Sequence, residues 1–139
     1  GLHSKVRKNG KFHLYRHILP PREQHLGFIG YASAGNNALT SEISAHWLSD
    51  CFVGGLKLPD VETMEQEITR LHKWASKVFP KRNEGYFVGG YVASFVDELM
   101  KDMKLPTRRT DSFFTEYFKP TYADRYKGLE EERRRTRGE

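Results

Sequence analysis

The chain has 139 residues, enough for one domain with a hydrophobic core, and 37% of them are hydrophobic and 13% aromatic, as is typical of soluble globular proteins. No stretch approaches the ~18 uninterrupted apolar residues that a membrane-spanning helix needs, and no secretory signal is visible. The net charge of +5 permits an anionic partner, but the basic residues concentrate at the two ends, in KVRKNGK and RRRTR. We interpret the basic C-terminal end as a solvated tail and expect no nucleic-acid partner.

Cys51 is the single cysteine, so the chain can form neither an internal disulfide nor a cysteine-based zinc site. This usage favours a reducing compartment, and we expect a cytoplasmic protein. The chain opens GLHSKVRKNG, without an initiator methionine, and we expect it to be a piece of a longer protein.

Two strands are predicted near the N-terminus. Residues 12–18 alternate in polarity and follow the turn signal Asn9-Gly10, which predicts a strand and suggests the second arm of a hairpin. Residues 26–31, LGFIGY, are apolar without alternation, which suits a strand covered on both faces in a mostly parallel sheet. Gly27 and Gly30 within it indicate that another group approaches the backbone closely.

A first helix is predicted to follow the loop after Tyr31. Thr40 or Ser41 can cap its start, Glu42 suits its first turn, and Gly54-Gly55 end it. Apolar residues recur at four- and five-residue steps and predict its buried face: Ile43, Trp47, Leu48, Cys51 and Phe52.

Two further helices are predicted beyond it. Asp60 is the expected N-cap of one that runs to about Val78 and is ended by Pro80. Another runs from Val88 or Tyr91 to Lys104. We expect the aromatic stretch 112–129 to form a short helix and turns, and residues from Glu130 onward to be a solvated helix end or disordered.

The resulting order of elements predicts the α/β class. Two strands cannot form a stable parallel sheet alone, because each needs neighbours on its ladder. We therefore expect the remaining strands of the sheet to precede residue 1.

The loop GYASAGNN, residues 30–37, invites comparison with a phosphate-binding loop. Gly30 and Gly35 have the spacing of the Walker A glycines, but Asn36 and Asn37 stand where lysine and serine or threonine are required. What remains is a helix start, whose N–H groups favour a partly negative atom, beside small residues and two amides. The alternative is an ordinary connection between a strand and a helix.

Other combinations of reactive side chains carry little signal. His13 and His17 would lie over ~13 Å apart along a strand, so with His25 they do not predict a metal site. Cys51 falls on the predicted buried helix face, which favours a core residue over a nucleophile. Asp97 and Glu98 suit a solvated or salt-bridged helix face.

Three stretches together resemble the flavin-containing monooxygenases and the related Baeyer–Villiger monooxygenases. FHLYRHILPPREQHLGFIG is similar to a late segment of those enzymes, in which L-Y and P-P precede a strand like L-x-F-I-G. TSEISAHWLSDCFVGGLKLP is similar to their E-x-Q-A-R-W helix, with Ser44 in place of the glutamine and His46 in place of the arginine. YVASFVDELMKDMKLPTRR and FFTEYFKPTYADRYKGL are similar to the C-terminal tails of microbial and fungal members.

The resemblance implies the C-terminal portion of a flavoprotein with two dinucleotide-binding domains. Residues 1–57 would end the FAD-binding domain, residues 58–129 would be a helical extension packed on the body, and residues 130–139 a charged tail. Neither G-x-G-x-x-G loop occurs in these 139 residues, and we expect both before residue 1.

The resemblance also implies a cofactor, a reaction and a site. The family uses NADPH to reduce FAD, captures O₂ as a flavin C4a-hydroperoxide, and transfers one oxygen to a soft nitrogen or sulfur or to a ketone. The residues expected around the flavin ring or the adjoining substrate space are Tyr31, Ala32, Asn36, Asn37 and Thr40. The NADPH site would lie outside this chain, which we expect to be inactive alone. The alternative hypothesis is a non-enzymatic basic module that binds nucleic acid or a protein.

Overall fold

The computed structural model describes residues 6–8, 11–32, 37–80, 91–107 and 126–139. This part of the chain is mostly helical. Its strands are β1 (Arg7–Lys8) and β2 (Lys11–Phe12), and its helices are α1 (Asn37–Phe52), α2 (Val61–Val78), α3 (Val92–Asp102) and α4 (Leu129–Arg137).

The predicted hairpin is confirmed, but its second strand is much shorter than expected. β1 and β2 pair antiparallel, with Arg7 opposite Phe12 and Lys8 opposite Lys11. The strand predicted over 12–18 is wrong beyond Phe12, because the chain turns back at Arg16 and His17, whose φ angles are 54° and 57°. The Ile18 N–H donates to the Tyr15 carbonyl at 3.0 Å and closes this turn.

The strand predicted over 26–31 is also wrong. The segment is irregular. Within the described residues, it makes one backbone hydrogen bond of the kind that pairs strands, from the Phe28 N–H to the Ile18 carbonyl at 2.8 Å. The described part of the chain therefore contains no parallel sheet, since no extended neighbour is present there to pair with this segment.

Gly27 and Gly30 of this segment each have a local structural reason. A Cβ on Gly27 would lie 2.4 Å from a methyl of Leu48, so the close approach predicted there is made by a side chain of α1. Gly30 has a φ of 82°, a conformation that other residues rarely adopt.

α1 begins earlier than predicted, and its predicted buried face is confirmed in part: Ile43 and Trp47 are buried, and Leu48 and Cys51 are half-buried against the core. It starts at Asn37, so Thr40 and Ser41 are not its caps and Glu42 lies beyond its first turn. Phe52, predicted to be buried, is 52% exposed. The residues that α1 does bury include polar ones: Leu39, Thr40, Ile43, Ser44, Trp47 and Asp50. The predicted end at the glycine pair is confirmed, with Gly54 at a φ of 75°.

α2 agrees with its prediction at both ends. The Thr63 N–H donates to Asp60 Oδ1 at 2.8 Å, which confirms the N-cap and lowers the pKa of that carboxyl. The helix ends at Val78, followed by Phe79 as C-cap and then Pro80.

α3 confirms the predicted third helix but is shorter. It starts after Tyr91 and ends at Asp102, two residues before the predicted Lys104, which has a φ of 58°. The alternative start at Val88 and most of the aromatic stretch 112–129 lie outside the described residues.

The core forms where α1 and α3 pack on one another and on residues 14–19. Trp47 of α1 is fully buried at its centre. Tyr126 and Leu129 add the C-terminal segment to the same cluster, so α4 packs against the body.

Candidate functional site: the start of helix α1

Four of the five residues expected around the flavin can be located, since Asn36 lies outside the described residues. Thr40 is buried, and its hydroxyl lies 3.2 Å from both the Ala32 and the Asn37 carbonyl oxygens, to which it can donate its one proton. This hydroxyl ties the segment before the loop to the first turn of α1. The structure thus brings Ala32, Asn37 and Thr40 together.

The side chain of Tyr31 packs on rings of the N-terminal segment. Its ring centroid lies 4.9 Å from that of Phe12 and 6.4 Å from that of His17. Tyr31 is therefore a half-buried ring that packs on Phe12 of the hairpin and on His17.

The first turn of α1 is electropositive at its open end. It contains no acidic side chain, and Asn37 and Ala38 are exposed there. A helix N-terminus carries roughly half a positive charge, which favours an anionic or carbonyl oxygen of a ligand.

A second site, which the sequence analysis missed, is a cavity of about 400 Å³ between residues 14–17, α2 and α3. The lining does not include Tyr31, Ala32, Asn37 or Thr40, the four expected flavin-contacting residues that the structure describes. His17 lines this cavity and connects it to Tyr31, since the two ring centroids are 6.4 Å apart. On the cavity side, His17 Nε2 lies 3.1 Å from the hydroxyl of Tyr91. Burial raises the pKa of Tyr91 to about 12, so its hydroxyl stays protonated at neutral pH.

Arg16 forms the polar wall of this cavity. Its Nε and Nη2 donate to Asp102 at 2.9 and 3.2 Å, and its Nη1 donates to Glu98 at 2.6 Å. Burial opposes its charge, but the hydrogen bonds and charge of Asp102 outweigh burial and raise the pKa of Arg16. Asp102 also accepts the Trp47 indole N–H at 2.9 Å, so this carboxylate joins the cavity wall to the core.

The basic C-terminal end is engaged with α1. Arg133 is 2% exposed and donates to both oxygens of Asp50, at 2.5 and 3.2 Å. Arg137 also donates to Asp50. Arg133 lies against His46, which occupies the family's arginine position, and against Glu130 at 2.6 Å. The prediction of a solvated tail is therefore wrong for Arg133.

Three further observations concern Cys51, metal ligands and the length of the helices. Cys51 packs against the core as predicted, and burial raises its pKa. Among the described residues, no three histidine, cysteine or acidic side chains are close enough to hold a metal ion. In the same part of the chain, no helix is long and apolar enough to cross a membrane.

Comparison with known proteins identifies relatives of one kind. No family model matches the chain. It is 30% identical to a probable flavin-containing monooxygenase 1 of Arabidopsis thaliana over 131 residues, which are 90% of this chain and 23% of that protein. It is 29% identical to the FAD-dependent monooxygenase DEP4 of Fusarium langsethiae over 130 residues, 88% of this chain and 22% of that protein.

A third relative gives the same picture. A putative flavin-containing monooxygenase 2 of Arabidopsis thaliana is 32% identical over 66% of this chain and 20% of its own length. The chain therefore spans only a fifth to a quarter of the length of these three relatives. Over most of its length, the chain is a homologue of a segment of the flavin-containing and FAD-dependent monooxygenases, which confirms the resemblance of its motifs.

Proposed function

We propose that this chain is part of an NADPH- and FAD-dependent monooxygenase that inserts one oxygen of O₂ into a soft nitrogen or sulfur, or into a ketone. The observation that carries the proposal is the 30% identity over 90% of the chain to a flavin-containing monooxygenase. The partners of the complete enzyme are then O₂, NADPH and a small-molecule substrate. From the single cysteine we also propose a cytoplasmic location.

The division of the chain follows from this proposal. Residues 1–57 contribute the C-terminal end of the FAD-binding domain, residues 58–129 form a helical extension on the body, and residues 130–139 form the charged tail. The parallel strands of an α/β FAD domain would come from residues outside this chain. Because neither G-x-G-x-x-G loop is present, we expect the 139 residues alone to be inactive.

The residues proposed to contact the flavin have distinct roles. A bound FAD supplies the redox chemistry and activates O₂. The Asn36 and Asn37 side-chain amides can donate hydrogen bonds to ring oxygens and nitrogens, and the electropositive start of α1 favours the charge of the reduced ring. Thr40 holds the Ala32 carbonyl against the first turn of α1, and Tyr31 supplies a flat wall.

Replacing Asn36 and Asn37 together by alanine in the complete enzyme tests this placement. Each hydrogen bond to the neutral oxidised ring contributes about 0.5–1.5 kcal/mol, so we expect loss of both amides to raise the Kd for FAD about tenfold. We also expect a smaller fraction of the NADPH consumed to yield oxygenated product. Gln66→Ala, an exposed amide on α2, serves as the matched control and should change neither quantity.

An unchanged Kd, flavin spectrum and product yield in the double variant would contradict the proposed site. Loss of oxygenation with FAD binding unchanged would place the two amides on the substrate side of the ring instead.

We do not favour the alternative of a basic nucleic-acid module, because arginines of the C-terminal tail pair within the chain. Arg133 and Arg137 pair with Asp50, and Arg134 donates to Glu130 at 3.1 Å. Three of the four arginines of the tail thus face carboxylates of the chain itself, which weakens this tail as a binding surface for a phosphate backbone.

A further inference from the structure

The cavity between residues 14–17, α2 and α3 has the properties of a ligand site. Its volume of about 400 Å³ falls in the range of roughly 300–1,000 Å³ that small-molecule pockets occupy. Ile68 and Phe95, each 3% exposed, form its apolar floor.

Two aromatic rings meet at a right angle on one side of the cavity. The ring centroids of Trp74 and Tyr91 are 5.2 Å apart with an interplanar angle of 84°. Each ring has a second contact that fixes its position. Trp74 packs edge-on against Phe79 with 5.8 Å between the ring centroids, and the Tyr91 hydroxyl lies 3.1 Å from His17 Nε2. Trp74 nevertheless remains 42% exposed, so this pair of rings is fixed but open to a ligand.

The charges around the cavity favour a cation. Glu67 and Glu98 line it, and Asp102 lies behind Arg16, whereas the guanidinium groups of Arg16 and Arg70 are the cations of its wall. Three carboxylates thus face two guanidinium groups. The Glu98 side chain is 53% exposed and that of Glu67 is 32% exposed, so both carboxylates keep a side open to the cavity or to solvent.

An anion is disfavoured at the same place. Arg16 already directs Nε and Nη2 to Asp102 and Nη1 to Glu98, so all three of its nitrogens are engaged. An anionic ligand at Arg16 would have to displace a carboxylate, whereas a cation can use the outer oxygens of Glu67 and Glu98.

We propose that this cavity binds an alkylated ammonium cation, with its charged head against the Trp74 and Tyr91 rings and beside the carboxylates of Glu67 and Glu98. Aromatic faces attract such cations through the ring quadrupole, and neighbouring carboxylates add Coulomb attraction. The proposal does not rest on flavin chemistry, because none of the described residues expected around the flavin lines the cavity.

Two probes of the same shape and different charge test the proposal on the 139-residue chain. Choline carries a trimethylammonium head, and 3,3-dimethyl-1-butanol replaces it by an uncharged tert-butyl group. The chain has two tryptophans, so its ¹⁵N spectrum should show two indole N–H resonances, which Trp74→Phe assigns. Trp47 is fully buried, so its resonance is the internal reference.

We expect choline to shift the Trp74 resonance saturably and to leave that of Trp47 in place. The neutral probe should bind at least about threefold more weakly, since cation–π attraction at partly exposed sites supplies that factor or more. Glu98→Gln should weaken choline about threefold without affecting the neutral probe. Glu131→Gln, at an exposed position of α4, is the matched control and should bind choline like the unmodified chain.

Equal affinity for the two probes would overturn the proposal, because the site would then be merely apolar. So would an absence of any saturable shift at Trp74, or a choline affinity that Glu98→Gln leaves unchanged.

Discussion

Replacing Asp50 by alanine should lower the free energy of unfolding by about 3–5 kcal/mol, because the buried Arg133 loses the carboxylate that binds two of its nitrogens and keeps only the more exposed Glu130. The Asp50 side chain is 5% exposed and that of Arg133 is 2% exposed. Arg133 donates to both Asp50 oxygens, and Arg137 donates to one of them. Urea denaturation of the 139-residue chain, followed by circular dichroism, measures the change.

The matched control for this prediction is an ion pair of the same helix that faces solvent. Arg134 is 61% exposed and donates to Glu130, so Arg134→Ala should change the free energy of unfolding by less than about 1 kcal/mol. Equal effects of the two substitutions would show that Asp50 and Arg133 are hydrated and that the contact between α1 and α4 is not held by a buried charge pair.

Trp47→Ala should have an effect of similar size for a different reason. Trp47 is fully buried between α1 and α3, and truncation of a buried aromatic side chain costs about 3–5 kcal/mol through the cavity that it leaves. The variant also loses the indole N–H donated to Asp102 at 2.9 Å, although Asp102 keeps its bonds to Arg16.

Trp74→Ala provides the comparison, because it removes the same side chain from a position that is 42% exposed. We expect it to cost about 1 kcal/mol or less. If both tryptophan variants unfolded at the same urea concentration, Trp47 would not be the centre of the core.

The helices were predictable where local signals mark their ends. Asp60 caps α2 through the Thr63 N–H, and Pro80 stands just beyond its end, so both bounds can be read from short-range chemistry. α1 was harder, because its buried face contains Asp50, whose partner Arg133 lies 83 residues away. No local sequence pattern predicts that a polar residue will be buried when its charge partner is a distant arginine.

The strands failed for a related reason. An apolar run such as residues 26–31 is compatible with a strand, but a strand requires neighbours, and the described residues supply none. The turn at Arg16 and His17 also escaped prediction, since positive φ angles are rare outside glycine. Contacts of both side chains with α3, including Arg16 with Asp102 and His17 with Tyr91, accompany this turn.

The start of α1 and the cavity differ in how far the sequence could predict them. Ala32, Asn37 and Thr40 are close in sequence, so their proximity at the start of α1 could be anticipated. The cavity combines residues 14–17, 67–74 and 91–98, three segments that meet only in the folded chain. Its charge balance depends on Asp102 pairing with Arg16, which the sequence does not reveal.

Hydrogen exchange of the complete enzyme, with and without FAD, tests the central claim most directly. If the start of α1 lies against the flavin, the backbone amides of residues 31–40 should exchange more slowly when FAD is bound, while those in the middle of α2 should not change. Protection by FAD elsewhere in the enzyme, with exchange over residues 31–40 unchanged, would contradict the placement of this segment at the flavin.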